Sequence, residues 1–370
     1  MFLAAGLLLG VSIVSTRPAL RDPDSTLYAA MSSQLSTQPF TWWMTPQWPE
    51  GRMKTGRFVE HPAVSLWPGA LLERVGLPAG ALVANVLCAV VLLWLVGRLA
   101  SLLAPGSEAL AWAAWGLAIS GVQYWLRANH EIWWASASLA ALLGVAARWP
   151  RWIVVAFTVA GCAIKGPLGL DTVLLVAPLA WVVHGRRWLV LYGLFAALAV
   201  LAFAAIYELT FQRLAGTSFV SAYFSTQVGY VLDSETSAWL TKPQNLAVYL
   251  GKLIWFSLPG ALLLGWARWK KRTLTRETMA LLIGLLLVVV FTSLMSRQAG
   301  RYIFPCYTVL AVIGAASAAS SRLGAFLGTR ARAVVTVVFL IALGRVLLAS
   351  AVYSEVNLLP GTRVTSGHRN

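Results

Sequence analysis

The chain consists mainly of apolar runs that are separated by short polar turns. Eleven of these runs are candidate membrane spans, since a helix that crosses the hydrocarbon core needs about 20 apolar residues. The pattern therefore predicts an all-α polytopic membrane protein with about eleven transmembrane helices. The predicted spans are residues 2–16, 79–97, 109–126, 132–147, 152–164, 168–184, 188–207, 247–267, 279–295, 302–320 and 333–352.

We expect residues 1–352 to form one transmembrane domain, followed by a short polar outer tail at 353–370. The first run is short and lacks a basic region before it, so it is either a retained helix or a cleaved signal peptide. Nothing near Thr16 resembles a small-x-small cleavage site, which favours the retained helix.

Composition and charge distribution support the membrane interpretation and argue against a nucleic-acid binder. The chain is 59% hydrophobic and 11% charged, with a mean hydropathy of +0.72, which is too apolar for a soluble globule. A net charge of +16 would suit a nucleic-acid binder, but the basic residues stand in small groups between apolar runs, as in topology-setting loops. Cys88, Cys162 and Cys306 lie inside apolar runs without a CxxC, and we interpret them as buried hydrophobes.

Arginine and lysine are distributed unevenly over the predicted turns. With the N-terminus inside, thirteen of them fall in inner loops and four in short outer turns. Acidic residues show the opposite bias, and only Glu108 and Glu277 fall inside. Because the positive-inside bias sets orientation, we expect any chemistry to face outward. The composition is compatible with a bacterial inner membrane protein whose active site is on the periplasmic, extracytoplasmic side.

Two polar stretches, 17–78 and 208–246, are longer than a turn requires. In the first, Asp22 and Pro23 predict a helix start, and a second helix is predicted from Pro62 to about Val75. Both helices are amphipathic, so we expect them to lie at the membrane interface. The second stretch is long enough to form a lid over a site.

Four short polar motifs stand in the predicted outer segments, and each carries residues that can do chemistry. They are Asp24-Ser25-Thr26-Leu27-Tyr28-Ala29; Phe58-Val59-Glu60-His61-Pro62, followed by Ser65-Leu66-Trp67; Lys165-Gly166-Pro167-Leu168-Gly169-Leu170; and Arg301-Tyr302-Ile303-Phe304-Pro305.

In order and rough spacing these motifs resemble those of the GT-C membrane glycosyltransferases, in the bacterial branch of the protein O-mannosyltransferase-like enzymes and the lipid A aminoarabinose transferases. The likeness covers about residues 1–350, with Ser25 in place of a second acid and His61 in place of a lysine. It implies inverting transfer of a hexosyl or pentosyl group from a polyprenyl-phosphate carrier to a lipid, glycan or protein acceptor at the outer face. The alternative is a flippase or transporter of lipid-linked sugars, which also needs outer cations and intramembrane charges.

Asp24 is the candidate general base, because an acceptor oxygen must lose a proton as it attacks the anomeric carbon. Its structural alternative is a helix-start carboxylate that pairs with Arg21 or with backbone amides. The resemblance adds Glu60 as a catalytic candidate, and Glu131 is the carboxylate nearest to a second acid of the relatives. Glu131 also has a simpler explanation, since an acid is stabilised at a helix start.

Lys165, Arg301 and Arg297 stand in short outer turns against the inward bias of basic residues. Fixed cations there could bind the phosphate of a leaving carrier, or they could simply snorkel to headgroups. The resemblance extends the predicted substrate-binding set to three further residues of the same motifs. These are Tyr28, His61 and Tyr302.

Asp171 and Arg345 lie inside predicted spans, in their outer halves. Charges at such depth usually pair or line a cavity, so we expect them to bind the carrier headgroup or to pair with each other. No cofactor is indicated with certainty. Glu60 and His61 could help to hold a divalent metal, but no HxxxH, HExxH or Cys/His cluster supports a dedicated site, and metal dependence stays open.

Overall fold

The computed structural model describes residues 2–16, 23–49, 56–125, 127–228, 238–295 and 299–352, and nearly all of them are helical. The one extended pairing among these residues is an isolated bridge between Gln47 and Arg57. The α-helices are α1 (Phe2–Thr16), α2 (Pro23–Ser36), α3 (Trp67–Arg74), α4 (Gly80–Leu103), α5 (Glu108–Gly116), α6 (Ile119–Tyr124), α7 (Glu131–Ala146), α8 (Arg151–Lys165), α9 (Asp171–His184), α10 (Arg186–Ala215), α11 (Phe219–Tyr223), α12 (Ala238–Phe256), α13 (Leu258–Trp269), α14 (Arg276–Ser293), α15 (Phe304–Ala318), α16 (Arg322–Gly328) and α17 (Ala331–Val352).

The all-helical membrane architecture predicted from the apolar runs is confirmed, but the count of eleven spans is not. Among the described residues, six helical stretches are long and apolar enough to cross a membrane, or seven if the bent pair around Ser257 is one span. That pair, α12 and α13, bends by 96°. The predicted run 109–126 is likewise divided into the short helices α5 and α6. Two of the predicted runs, 109–126 and 247–267, are therefore broken helices rather than continuous ones.

The helical stretch Arg151–His184 reverses direction in the 3₁₀ turn Gly166–Leu170. Lys165, at its midpoint, contacts Glu131 at the start of α7. The His184 Nε2, at its end, lies 3.1 Å from the carbonyl oxygen of Val145, near the end of α7. Helices α8 and α9 are therefore antiparallel, and Gly166 adopts a φ of +63° at the turn, which favours glycine.

The core of the bundle is formed by α4, α7 and α15, whose residues are mostly buried. Helix α10 lies at the periphery, where Leu201 and Leu209 are each 66% exposed, as expected of side chains that face lipid. Helix α1 packs against α4 and α17.

The predicted first outer segment contains the expected helices, packed over one end of the bundle. Leu27, Met31 and Leu35 of α2 form a small second core with Phe58 and Leu66. The predicted cap at Asp22 lies outside the described residues. Two hydrogen bonds then join this segment to α10, because the Ala63 N–H donates to the Tyr207 hydroxyl at 3.0 Å and that hydroxyl donates to the Met44 carbonyl at 3.1 Å.

The second polar stretch is more helical than predicted, since α10 continues to Ala215 and α12 already begins at Ala238. Its described middle part is α11 and the π-helical turn Phe224–Val228. Residues 229–237, within the proposed lid, and the tail 353–370 lie outside the described residues.

Helices α13 and α15 cross closely at small residues. A Cβ at Gly260 would lie 2.8 Å from the Cα of Ala311, and one at Gly314 would lie 2.2 Å from the carbonyl oxygen of Gly260. Such approach is typical of small residues at helix interfaces in membranes. The close crossing therefore depends on glycine, which has no side chain, at both positions.

We expect Gly260→Val to destabilise the protein by about 1–3 kcal/mol, because a side chain there forces two backbones apart. Gly265→Val is the matched control on the same helix, since nothing lies within 4 Å of a Cβ at that position. Thermal denaturation of both variants in detergent checks this. Equal melting temperatures for the two would contradict the close crossing.

Candidate active site

Several residues predicted from the sequence as site residues converge at the end of the bundle that carries the predicted outer segments. Helix α2 presents Asp24 and Tyr28 four residues apart, which places them on one face, one turn from each other. Asp24 pairs with Arg301, whereas Tyr28 packs on His130, with 4.9 Å between the ring centroids. One helix thus connects a partly exposed ion pair to a buried polar cluster.

The buried cluster has Lys165 at its centre. The Lys165 Nζ donates to the Glu131 Oε1 at 2.9 Å and contacts the His130 Nε2. All three side chains are at most 2% exposed. They are brought together because α8 ends where α7 begins, at the Gly166 turn.

His61 and Glu60 border this cluster from the first outer segment. The rings of His61 and His130 meet edge to face, 4.4 Å apart between centroids. Glu60 lies near enough to Lys165 to act on it electrostatically. Two carboxylates, one ammonium and two imidazoles therefore share one small volume.

Both imidazoles of the cluster are held neutral. Burial and the positive charge of Lys165 lower the pKa of His130 well below its usual range. Burial lowers the pKa of His61 in the same direction, with further contributions from His130 and Lys165 that outweigh Glu131. Because the ammonium donates to the Nε2 of His130, its proton is on Nδ1, which is buried without a hydrogen-bond partner among the described residues.

The ion pair between Asp24 and Arg301 is more open. The Arg301 Nη1 donates to the Asp24 Oδ2, and the two side chains are 39% and 32% exposed for Asp24 and Arg301 respectively. An ion pair with this much solvent contact contributes only about 0–1 kcal/mol to stability. Separating the two groups therefore costs little free energy, and both are accessible to a ligand.

One tyrosine lies beside the ion pair and another beside the buried cluster. Tyr302 follows Arg301 and is 8% exposed. The Tyr223 hydroxyl lies over the Lys165 turn, since a Cβ at Gly166 would be 3.4 Å from it. Burial and the neighbouring Tyr302 raise the pKa of Tyr223 to about 12, so it keeps its proton. The described part of the predicted lid thus does lie against this end of the bundle.

Sequence reasoning did not select His130 or Tyr223 for the site. His130 had a usable signal, the polar triplet Asn129-His130-Glu131 directly before an apolar helix. Tyr223 had no comparable signal, because it reaches the site only through the packing of α11 on α10.

Asp171 and Arg345 do not join this group. Arg297 lies outside the described residues. Asp171 is 1% exposed, and neither carboxylate oxygen has a hydrogen-bond partner among the described residues. The Arg345 Nη2 instead lies 3.5 Å from the carbonyl oxygen of Gln123, in α6. The alternative ion pair between Asp171 and Arg345 is therefore wrong, because the two residues stand on helices with different neighbours.

Within the described residues, no group of three or more His, Cys, Asp or Glu side chains is arranged to hold a metal ion. The Nδ1 atom of His61 is buried and has no hydrogen-bond partner among the described residues. His61 directly follows Glu60 in the sequence. The ammonium of Lys165 beside this pair would repel a divalent cation, so these two residues fit such an ion poorly.

The fold is that of a known class of membrane protein. The chain has the fold of the GT-C membrane glycosyltransferases, as the motifs indicated. One solved structure with a similar fold is ArnT from Cupriavidus metallidurans bound to undecaprenyl phosphate, with a TM-score of 0.63 and 18% identity over 96% of this chain and 65% of that one. Another is the same protein in the apo state, with a TM-score of 0.57 and 17% identity over 97% of this chain and 74% of that one.

In sequence, the chain is 24% identical over 344 residues to the undecaprenyl phosphate-alpha-4-amino-4-deoxy-L-arabinose arabinosyl transferase of Enterobacter sp. (strain 638). The match covers 83% of this chain but only 58% of that relative. No protein-family model matches the chain.

We expect Lys165→Met and Glu131→Gln each to destabilise the protein by about 3–5 kcal/mol, since each leaves the other group buried without its partner. The double variant should lose less stability than the sum of the two single losses. Thermal denaturation in detergent measures this coupling in a double-mutant cycle. The same cycle on Asp24→Asn and Arg301→Met, at the open pair, should give at most about 1 kcal/mol of coupling. Similar coupling in both pairs would contradict the difference in burial.

Stability should fall as the pH drops below about 6.5, because the unfolded chain then protonates His61 and His130 while the folded chain does not. The loss is at most about 1.4 kcal/mol per pH unit for each histidine, and it continues down to the lowered pKa of the folded state. Melting temperatures between pH 7.5 and 5 check this. The slope should flatten in the His61→Gln/His130→Gln variant, and an unchanged slope would show that other groups cause it.

Proposed function

We propose that the protein is an inverting glycosyltransferase that moves a sugar from a polyprenyl-phosphate carrier to a lipid, glycan or protein acceptor. The reaction takes place at the outer face of the bacterial inner membrane. The aminoarabinose donor in the name of the sequence relative makes a pentosyl group the first sugar to test, ahead of a hexosyl group.

The observation that carries this proposal is the convergence of acids and cations from four distant segments at one end of a GT-C fold. Asp24, Glu131, Lys165 and Arg301 are far apart in the chain, yet they form two ion pairs that α2 connects. A merely structural membrane protein has no need to place two ion pairs and two neutral imidazoles in one region, because desolvating charges is costly.

In this proposal Asp24 is the general base. The acceptor hydroxyl gives its proton to the Asp24 carboxylate as its oxygen attacks the anomeric carbon. The bond between that carbon and the carrier phosphate breaks with its electron pair on the phosphate oxygen, and the anomeric configuration inverts. The products are the glycosylated acceptor and the polyprenyl phosphate.

Arg301 has two partners in turn. Without substrate it pairs with Asp24, and with substrate its guanidinium binds the carrier phosphate, for which its planar donors are well suited. This exchange frees the Asp24 carboxylate for the acceptor. It is feasible because the exposed ion pair contributes little to stability.

Lys165 has a different role from direct phosphate binding, since its ammonium is buried and engaged by Glu131 and His130. We assign the Lys165 and Glu131 pair to positioning: it fixes His130, against which Tyr28 packs, and so sets the orientation of α2 and Asp24. His61, Glu60 and Tyr302 then border the substrate. Asp171, Arg297 and Arg345 stay candidate binding residues.

The alternative, a flippase or transporter of lipid-linked sugars, requires broken helices and binding groups at both faces. The 96° bend at Ser257 is one such break. The two functions differ in product, because a flippase leaves the bond between sugar and carrier phosphate intact.

Asp24→Asn should lower transfer by about 10²–10⁴-fold, because the amide cannot accept the proton. Mass spectrometry of envelope glycolipids and glycoproteins from a deletion strain, complemented with either protein at equal membrane levels, measures this. Glu277→Gln is the control, since it removes a carboxylate from the opposite end of the bundle. Loss of one glycan on deletion, restored by wild type and Glu277→Gln only, is the expected result.

A charge exchange separates catalysis from structure. Asp24→Arg combined with Arg301→Asp keeps an ion pair between the two positions but removes the base from α2, so it should fold and remain inactive. Full activity of Asp24→Asn, or accumulation of uncleaved lipid-linked sugar on the inner face in the deletion strain, would contradict the proposal.

A further inference from the structure

A large cavity lies at the opposite end of the bundle from the candidate active site, between α5, α13 and α16. Its volume is about 890 Å³, within the range of about 300–1,000 Å³ that small-molecule sites occupy. The proposed transfer reaction does not use it. Its walls are mainly apolar, and they include Leu110, Ala113, Leu117, Leu262 and Leu327.

Exposed leucines stand at the walls of the cavity. Leu262 is 63% exposed and Leu323 is 48% exposed, and Leu262 belongs to the bent helix pair that is long and apolar enough to cross a membrane. A wall of exposed leucines in a bilayer contacts acyl chains. The apolar part of the cavity is therefore accessible to a lipid without passage through water.

Three basic side chains also line the cavity, and its lining includes no acidic side chain. These are Lys270, Arg272 and Arg322. None of the three forms an ion pair within the described part of the chain. Lys270 and Arg272 follow the end of α13, and Arg322 is the first residue of α16. Their charges are uncompensated, so the cavity attracts an anion.

Arg272 is held in place before any ligand binds. Its Nη2 donates to the Ser320 carbonyl oxygen at 3.3 Å, its Nη1 contacts the Ser320 hydroxyl, and its guanidinium lies 5.1 Å from the Trp266 ring centroid. The Lys270 ammonium lies over the Trp269 ring at 4.6 Å. An arginine oriented in this way loses little freedom when it binds a phosphate.

We propose that this cavity binds an anionic glycerophospholipid of the leaflet opposite the candidate active site. Lys270, Arg272 and Arg322 bind its phosphate, and one acyl chain lies against Leu110, Leu117 and Leu262. Basic pockets between membrane helices on the cytoplasmic side bind anionic lipid headgroups in general. A zwitterionic lipid fits less well, because its own cation faces three fixed positive charges.

The test is native mass spectrometry of the full-length protein in mixed micelles that contain either phosphatidylglycerol or phosphatidylethanolamine. We expect one tightly retained phosphatidylglycerol and no matching phosphatidylethanolamine. Lys270→Gln/Arg322→Gln should weaken that binding at least tenfold. Lys271→Gln/Arg330→Gln removes the same charge from neighbouring turns outside the cavity, and should change binding less than threefold.

The apolar part is tested with Ala113→Trp, which fills the cavity from α5. Ala197→Trp is the control on the exposed side of α10. Retention should be lost in the first variant and kept in the second.

Four results would overturn the proposal. The first is equal weakening by the two charge variants, and the second is equal retention of both lipids. The third is full binding in Ala113→Trp together with displacement by millimolar inorganic phosphate. The fourth is binding of undecaprenyl phosphate at least tenfold tighter than phosphatidylglycerol. The first indicates diffuse attraction, the third a site for phosphate alone, and the fourth a site for the carrier. None of these measurements depends on transferase activity, so failure of the proposed function leaves this test intact.

Discussion

The buried ion pair between Lys165 and Glu131 is the interaction on which the outer end of the molecule depends. It joins the end of α8 to the start of α7, and the Gly166 turn that follows brings α9 back beside both. Since a buried charge without its partner is costly, neither helix can shift along its axis without losing the pair. The imidazole of His130 is held in the same contact, so the position of Tyr28 and of helix α2 follows from it.

This dependence explains why the two ion pairs of the candidate site differ in character. The pair at Lys165 is closed to water and holds the helices, whereas the pair at Arg301 is about one-third exposed and can exchange partners. The function proposed above would need both kinds, because preorganisation requires a rigid frame and turnover requires a contact that is easily broken.

The fold class could be predicted from the sequence because lipid requires continuous apolar helices, and the motifs around Asp24 and Lys165 indicated the family fold. The breaks inside the runs 109–126 and 247–267 could not, since hydropathy does not detect a break inside an apolar run. The bend at Ser257 had a local signal in Pro259, which cannot donate a hydrogen bond and favours a helix start. The reversal at Lys165 was predicted, because the apolar runs 152–164 and 168–184 lie on either side of it.

Pairings were harder to predict than residues. The basic residues that depart from the inward bias were Arg301 and Lys165, and the motif at residues 24–29 selected Asp24. Nothing local predicts that Asp24 and Arg301, 277 residues apart, are partners. Depth alone suggested a pair between Asp171 and Arg345, and depth does not say which helices are neighbours. Packing decides this, and packing depends on small residues such as Gly260 and Gly314.

The bend at Ser257 has a consequence for the surrounding bilayer. Helix α13 has 12 residues and is therefore about 18 Å long, well below the ~30 Å thickness of a hydrocarbon core. Lipid beside a short apolar surface thins locally rather than expose hydrocarbon to water. On this side of the protein the two headgroup layers should therefore lie closer together than elsewhere.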